Sequence, residues 1–385
     1  MRIGFDARVL TGEKCGTANY LCRLVQQLVK LRPHIEVFLF APEKICVDYE
    51  PFLNHPQVHR VVLELKKSRR KHWPAWYIPK LLKQNRIDVF HQPFNADGPV
   101  FLPPCPTVVT ILDLIPWVVK GLFTSRFKEL RYKVRNLLWT RIARKVVTIS
   151  ECSKKDIVRL CHISDKQVMA AHLGADDIYE GPITPEEERE ILDKYHLLDK
   201  RYVVNMSGLN QKRRHPDFIL EGFAQFRRHV AADVYLVFTG SIMKYEGFYE
   251  RVLRKMDMLG IRGRVIMTGF IPDKALKVIL SHAEISVVTS LYEGFCLPVT
   301  ESFACGVPVI ANGRGSIPEI AQDAAVLIDP YDPDGLSEAL RKLWDDPEQR
   351  RALIEKGYER NKSFSWEKMA METLAVYQSV VGKIT

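Results

Sequence analysis

Short apolar, β-branched runs alternate along this chain with longer segments of helical apolar spacing. The first run covers Arg2–Asp6, and Thr17–Leu31 then carries Tyr20, Leu21, Leu24 and Leu28 at helical spacing. Further strands are predicted over Glu36–Phe40, Val58–Leu65, Asp88–His91, Thr107–Leu112 and Lys145–Ile149. The pattern changes between Asp176 and Asp199, where Gly181-Pro182 breaks structure and Pro185-Glu186-Glu187-Glu188 opens a charged helix. It restarts with strands over Tyr202–Ser207, Val234–Thr239, Arg264–Thr268, Glu284–Thr289, Val307–Ala311 and Ala325–Ile328. Helices lie between them, among them Pro216–Arg228 and Ala275–Ser281, and Ser365 caps a final helix with apolar Met369, Leu374, Val376 and Tyr377. Strands alternating with helices imply a parallel sheet covered on both faces. Two such series predict an α/β protein of two Rossmann-like, doubly wound domains: residues 1–178, residues 179–364, and a C-terminal helix over 365–385. Sheets of this kind bind ligands outside the carboxyl ends of their strands, so two facing domains are expected to share a cleft.

Composition narrows the class. At 385 residues the chain exceeds one ordinary core, and its 46% hydrophobic and 26% charged content is that of a water-soluble protein. No apolar run reaches the roughly 18 residues of a membrane span. Met1-Arg2-Ile3-Gly4-Phe5-Asp6 enters a strand pattern at once, so no signal peptide is expected. The eight cysteines show no CxxC pair, so they read as reduced thiols of a cytoplasmic protein. The net charge of +10 points to an anionic partner: nucleic acid, an anionic membrane surface or a phosphorylated substrate.

The richest chemistry lies after the strand ending at Thr289, in Ser290-Leu291-Tyr292-Glu293-Gly294-Phe295-Cys296-Leu297-Pro298-Val299-Thr300-Glu301. Pro298 suits the first turn of a helix, which places Glu293 on the loop and Glu301 about one turn in. Backbone N–H groups from Gly294 to Val299 then point out of a helix N-terminus, a ready anion site. The matching visitor is a diphosphate with a hydroxyl-rich group on either side, one for each glutamate.

This stretch, continued through Ala304-x-Gly306-x-Pro308-Val309-Ile310-Ala311 and Gly315-Ser316-Ile317-Pro318-Glu319, resembles the signature of retaining glycosyltransferases of the GT-B fold, family 4, also called glycosyl transferases group 1. Phe364-Ser365-Trp366-Glu367, Thr148–Asp156 and Ala170–Asp176 match too, so the resemblance runs along nearly the whole chain. It implies that Glu301 hydrogen-bonds the ribose of a nucleotide-sugar and that Glu293 lies near the donor sugar. It also implies that the backbone of Gly294, Phe295, Cys296 and Leu297 meets sugar and phosphate.

Gly208-Leu209-Asn210-Gln211-Lys212-Arg213-Arg214 follows a strand and precedes a helix. Consecutive cations at a strand end suit a departing diphosphate, on which charge builds as the glycosidic bond breaks. Arg214 and then Arg213 are the first choices, with Lys212 at the rim and Gly208 in the donor loop; the plain alternative is a solvated charged turn. The acceptor side is expected around Gly16, Thr17, Asp113 and His91. Here the chain departs from the resemblance: Ala18 stands where the family has a second glycine, and Leu112 where it commonly has a histidine before Asp113. His91 also reads as a structural histidine, and Asp113 as a cap. Asp332-Pro333-Asp334 looks like a metal motif but reads as a turn and helix cap; no metal and no cofactor are expected, the arginines supplying the positive charge.

Two basic stretches remain. One is Lys66–Tyr77, with Trp73 and Trp76; the other is Arg126, Lys128, Arg131, Lys133, Arg135, Arg141, Arg144 and Lys145. Cations beside tryptophans suit an anionic membrane surface, hence attachment to the inner face of the membrane, whereas no nucleic-acid motif is present. The expected activity is sugar transfer from a nucleotide-diphosphate sugar to a glycan, lipid-linked or other hydroxyl acceptor, with retention, in envelope polysaccharide or glycolipid synthesis. The rival reading, suggested by Leu112 and Ala18, is a catalytically weak nucleotide-sugar-binding or partner-regulating protein of the same fold. A nicotinamide dehydrogenase lacks its GxGxxG after the first strand.

Overall fold

The computed structural model describes the chain except residues 13–14, 71, 96–99, 180, 207–211, 232, 241–246 and 383–385. It divides into two compact units, Met1–Leu173 with Ser365–Thr385, and Gly174–Phe364. The first division falls five residues before the 178/179 boundary expected from the sequence, which moves Asp176 into the second unit beside Tyr179.

The first unit holds seven parallel strands: β1 (Arg2–Asp6), β2 (Glu36–Ala41), β3 (Val58–Val62), β4 (Val89–Gln92), β5 (Thr107–Thr110), β6 (Lys145–Thr148) and β7 (Val168–Ala170). Their order is β3-β2-β1-β4-β5-β6-β7. β4 and β5 are buried at every position, as strands covered on both faces must be. β7 is absent from the sequence prediction because three residues show no period; it is held by pairing to β6, Val146 opposite Val168.

The helix Trp366–Val381 belongs to this unit and packs on the helix Gly16–Leu31. Its N-cap is Ser365, whose side chain accepts from the Lys368 N–H at 3.0 Å, as its sequence predicts. Met369, Ala370, Thr373 and Tyr377 are fully buried. Tyr377 also explains His91. That ring is fully buried, with Nδ1 2.5 Å from the Tyr377 hydroxyl and Nε2 2.7 Å from Thr110 Oγ1, while the Tyr20 hydroxyl meets Thr110 Oγ1 at 3.0 Å. Burial pushes the His91 pKa down to about 3, so the imidazole is neutral. His91, expected among the acceptor-side residues, is instead a fastening between sheet and last helix.

The second unit holds six parallel strands: β8 (Arg201–Asn205), β9 (Val234–Thr239), β10 (Val265–Gly269), β11 (Ile285–Val288), β12 (Val309–Asn312) and β13 (Ala325–Ile328), in the order β10-β9-β8-β11-β12-β13. The helices Pro216–Arg228 and Pro333–Asp345 cover one face and press together at Gly222, where a Cβ would come within 2.6 Å of Leu336 Cδ2. Phe218, Phe223, Phe226, Leu336 and Leu340 fill the core beneath them. Asp332 accepts from the Gly335 N–H at 3.0 Å and so caps a helix, in agreement with the turn-and-cap reading of Asp332-Pro333-Asp334. Among the described residues, no helix is long and apolar enough to cross a membrane.

Candidate active site

In both units strand order reverses once: between β8 and β11 in the second, and between β1 and β4 in the first. At such a point the chain connections run to opposite faces of the sheet, and ligands of such sheets bind in the crevice outside the carboxyl ends of the two strands. In the second unit the loops at those ends are the arginine run after β8 and the Glu293 loop after β11.

The Glu293 loop leads into the helix Leu297–Ala304, with Pro298 in its first turn and Glu301 one turn in, as the spacing predicts. Cys296 is its N-cap and stands in the left-handed region, at φ 84° and ψ 64°, a conformation unfavourable for a residue with a Cβ. The loop is held from several sides. Ser316 Oγ donates to the Glu293 carbonyl at 2.9 Å and the Phe295 carbonyl at 3.0 Å, and the Asn312 amide donates to the Ser290 carbonyl. Gly315, at φ +64°, lies so close that a Cβ there would come within 3.2 Å of the Glu293 backbone. The Phe295 ring is buried edge-on to Phe364 at 5.5 Å. Ser302 Oγ donates to Ser286 Oγ at 2.8 Å and fastens the helix to β11. An N-terminus pinned in this way presents its first N–H groups in fixed directions.

Glu293 is 9% exposed and ionically engaged. The Nη1 atoms of Arg213 and Arg214 approach its Oε1 at 2.9 and 2.6 Å. Arg213 Nη1 also donates to the Tyr292 carbonyl at 3.1 Å, and Arg214 Nη1 to Ser290 Oγ at 3.2 Å. Backbone contacts lock the two loops together, with the Leu291 N–H donating to the Arg213 carbonyl at 2.9 Å and Thr289 Oγ1 to the Arg214 carbonyl at 2.7 Å. Two guanidinium groups on one carboxylate leave a net positive charge at the crevice. Arg214 Nε is buried with no partner among the described residues. Gly208 lies outside the described residues, as does the side chain of Lys212.

Glu301 is partly buried, and burial pushes its carboxyl pKa up to about 8; the nearby charges of Asp176 and Asp273 push the same way, against a hydrogen bond from Tyr179. Sequence reasoning missed Tyr179 and Asp176, because it placed the domain junction among them. Burial also raises the Cys296 thiol well above its ordinary pKa, the Glu293 charge adding to it, so this cysteine is an inert neutral thiol.

At the reversal point of the first unit lies a cavity of about 570 Å³, lined by Arg8, Thr17, Asn95, Leu112, Asp113 and Tyr132, with Val9, Phe94 and Pro116. Thr17 and Asp113, two of the residues singled out in the sequence, are among those that line it. Gly16 opens the helix Gly16–Leu31 and is exposed. A Cβ at Gly16 would meet nothing within 4 Å, so no close backbone approach among the described residues requires glycine there. Asn95 organises the wall: its Oδ1 accepts from the Leu112 N–H at 2.9 Å, and its Nδ2 donates to the Asp113 carbonyl at 2.5 Å and the Tyr132 hydroxyl at 3.0 Å. Asp113 Oδ1 accepts from the Ile115 N–H at 3.0 Å, while Arg8 is tied to fully buried Asp6 at 2.8 Å. Asn95, Tyr132 and Arg8 were also missed; for Asn95 and Arg8 the available signal was a polar residue just past the carboxyl end of a buried strand, whereas Tyr132 lies within the helix Arg126–Ile142 and carried none.

Comparison with known proteins agrees with this geometry. Residues 187–360 match the family model described as glycosyl transferases group 1, and residues 15–177 the model for glycosyltransferase family 4. The O-antigen chain mannosyltransferase B of Escherichia coli is 26% identical over 85% of this chain and 78% of its own. The MMP alpha-(1->4)-mannosyltransferase of Mycolicibacterium hassiacum is 28% identical, over 63% of this chain and 57% of its own. Among solved structures, a glycosyltransferase of Rickettsia africae aligns over 99% of both chains with a TM-score of 0.77 at 15% identity. Anabaena Alr3699/HepE, in complex with UDP and glucose, aligns over 98% of this chain and 100% of its own, with a TM-score of 0.75 at 16% identity. With both sheets, both reversal points and both family models in agreement, the chain belongs to the group 1, family 4 glycosyltransferases of the GT-B fold.

Proposed function

We propose that the second unit binds a nucleotide-diphosphate sugar and that the enzyme transfers its sugar to a hydroxyl of a glycan or lipid-linked acceptor, with retention of anomeric configuration. The observation that carries this reading is the pair Arg213–Arg214 on the Glu293 carboxylate, beside the N-terminus of the helix Leu297–Ala304. The arrangement suits a diphosphate better than a neutral ligand. Two guanidinium groups and oriented N–H dipoles meet charge as it develops on the leaving group. Glu301, next to Tyr179, suits the ribose hydroxyls, and Glu293 the donor sugar. The cavity walled by Asn95, Asp113 and Tyr132 suits the acceptor.

In the proposed reaction the acceptor oxygen bonds to the anomeric carbon as the bond from that carbon to the diphosphate breaks. The electron pair leaves with the diphosphate, and a diphosphate oxygen takes the acceptor proton on the same face. Arg214 and Arg213 provide the positive charge at the diphosphate, and no metal or cofactor takes part in the proposed reaction. The mannosyltransferase relatives make a mannosyl donor the first to try, in polysaccharide or glycolipid synthesis.

A thermal-shift series with UDP-, GDP- and dTDP-sugars tests the donor. Binding at one hundred times Kd is expected to add about 2.7 kcal/mol of stability. Nuclear magnetic resonance of the freshly formed product tests retention. Binding with neither transfer nor donor hydrolysis in any acceptor mixture would instead establish a nucleotide-sugar-binding protein.

A further inference from the structure

One helix of the first unit is apolar on its solvent side as well as its inward side, where Trp139, Leu137 and Ile142 pack on the core. Arg126–Ile142 buries Asn136, Trp139 and Thr140, and Asn136 Nδ2 spends its hydrogen bond on the Tyr132 carbonyl at 2.9 Å. Its solvent side instead carries Phe127, Leu130, Val134 and Leu138, which are 72, 60, 43 and 45% exposed. Steps of three, four and four residues place these side chains in one stripe along the helix. Arg131 and Arg141 are exposed on the same arc, with Arg126 and Lys128 exposed to its sides. Lys133 is engaged elsewhere, paired with Glu129 at 2.5 Å and set over Trp117, and Glu129 is the only acid in the helix. Four members of the second basic cluster, Arg126, Lys128, Arg131 and Arg141, therefore edge an exposed apolar stripe, while Arg144 donates to the Val380 carbonyl and Lys145 to the Lys166 carbonyl. The first cluster differs: Trp73 is fully buried in the core, Trp76 is 65% exposed, and Lys71 lies outside the described residues.

Four large apolar side chains aligned in water incur a standing cost that a solvated helix avoids by carrying polar residues there. Their setting indicates the partner. A neutral apolar surface would cover the stripe but leave the cations without counter-charge. An anionic bilayer accommodates both, taking the stripe below its headgroups and the arginines and lysines among its phosphates. We propose that the helix Arg126–Ile142 docks flat on an anionic phospholipid bilayer. The inward side of this helix supplies Tyr132 to the cavity of the first unit, so one element would join the lipid surface to that cavity. Lipid binding itself does not depend on the glycosyl-transfer reading and is measured without any sugar donor.

The test is flotation of the full chain with vesicles of phosphatidylcholine alone and of phosphatidylcholine mixed with phosphatidylglycerol, at physiological salt. Binding is expected to the mixed vesicles and not to the neutral ones. The double variant Arg131→Gln/Arg141→Gln is expected to weaken partition about 25-fold, at about fivefold per cation. Phe127→Ser/Leu130→Ser is expected to abolish flotation while leaving the melting temperature and circular dichroism unchanged, since both side chains face water in the free protein. Equal flotation of wild type and both variants overturns the proposal, as does binding that ignores anionic lipid. No vesicle binding, together with a dimer that dissociates in the Phe127→Ser/Leu130→Ser variant, overturns it in favour of contact between copies of the chain.

Discussion

The two reversal points share a topology and differ in chemistry. In the second unit the crevice is ionic: two arginines grip one carboxylate, and a second carboxyl is crowded until it keeps its proton. In the first unit the cavity wall is set by one neutral amide, Asn95, and its arginine is largely compensated by the buried carboxylate of Asp6. The ionic crevice suits a charged diphosphate and a transition state that gains charge. The amide-built wall suits recognition of hydroxyl groups, where orientation matters more than field. One strand arrangement therefore offers two kinds of site, and the side chains at the strand ends decide between them.

The sharpest break in this comparison is Arg214→Ala. Removing a pre-oriented cation from the leaving group is expected to lower kcat by about 100- to 1,000-fold with little change in acceptor KM, checked by steady-state kinetics. Unchanged turnover would count heavily against the donor assignment. Asn95→Ala should act on the other side. It strands the Leu112 N–H, the Asp113 carbonyl and the Tyr132 hydroxyl at about 1–3 kcal/mol of stability, and is expected to cut acceptor kcat/KM about thirtyfold while donor Kd, read by calorimetry, stays put.

A subtler test uses pH. The Glu301 carboxyl titrates at about 8 in the free protein, against an ordinary 4.5; if it binds the ribose, a proton must leave below 8 before both of its oxygens can accept from the two ribose hydroxyls. Nucleotide-sugar affinity should thus rise about tenfold between pH 7 and a plateau above 8, and the rise should vanish in Glu301→Gln. The sign for stability is the opposite: between 4.5 and 8 the folded chain holds this proton more tightly than the unfolded chain, so its contribution to stability falls as pH rises through that window. The smallest expected effect is that of a chelator. If Arg213 and Arg214 supply the charge, turnover should be unchanged in EDTA; a loss restored by added magnesium would reassign the leaving-group role.

The loop and helix that carry Glu293 and Glu301 were legible because their logic is local. Strand, glutamate, glycine, proline and second glutamate follow one another within a dozen residues, and the basic run directly precedes a helix. The ion pair between Glu293 and Arg214 was not legible, since it joins residues 79 apart that only the adjacency of β8 and β11 brings together. Asn95 was missed for the same reason, acting across 17 residues on a loop defined by the β4–β5 neighbourhood. The sequence left both readings of His91 open because its partner, Tyr377, lies 286 residues away in the chain. The position of Leu112 raised doubt about the acceptor side, yet its backbone is held firmly by Asn95, so loss of a histidine there does not leave the loop unsupported.

That long-range fastening also bears on how the protein is made. Tyr20, His91 and Thr110 are synthesised early, but the helix that buries them spans residues 366–381. Until the ribosome has added those residues, the first sheet has an uncovered apolar face beside the helix Gly16–Leu31. Meanwhile Gly174–Phe364 has all of its own strands and helices and can close first. Folding order would then run against chain order, with the earlier unit waiting on the final helix and exposed to chaperones or proteases in the interval.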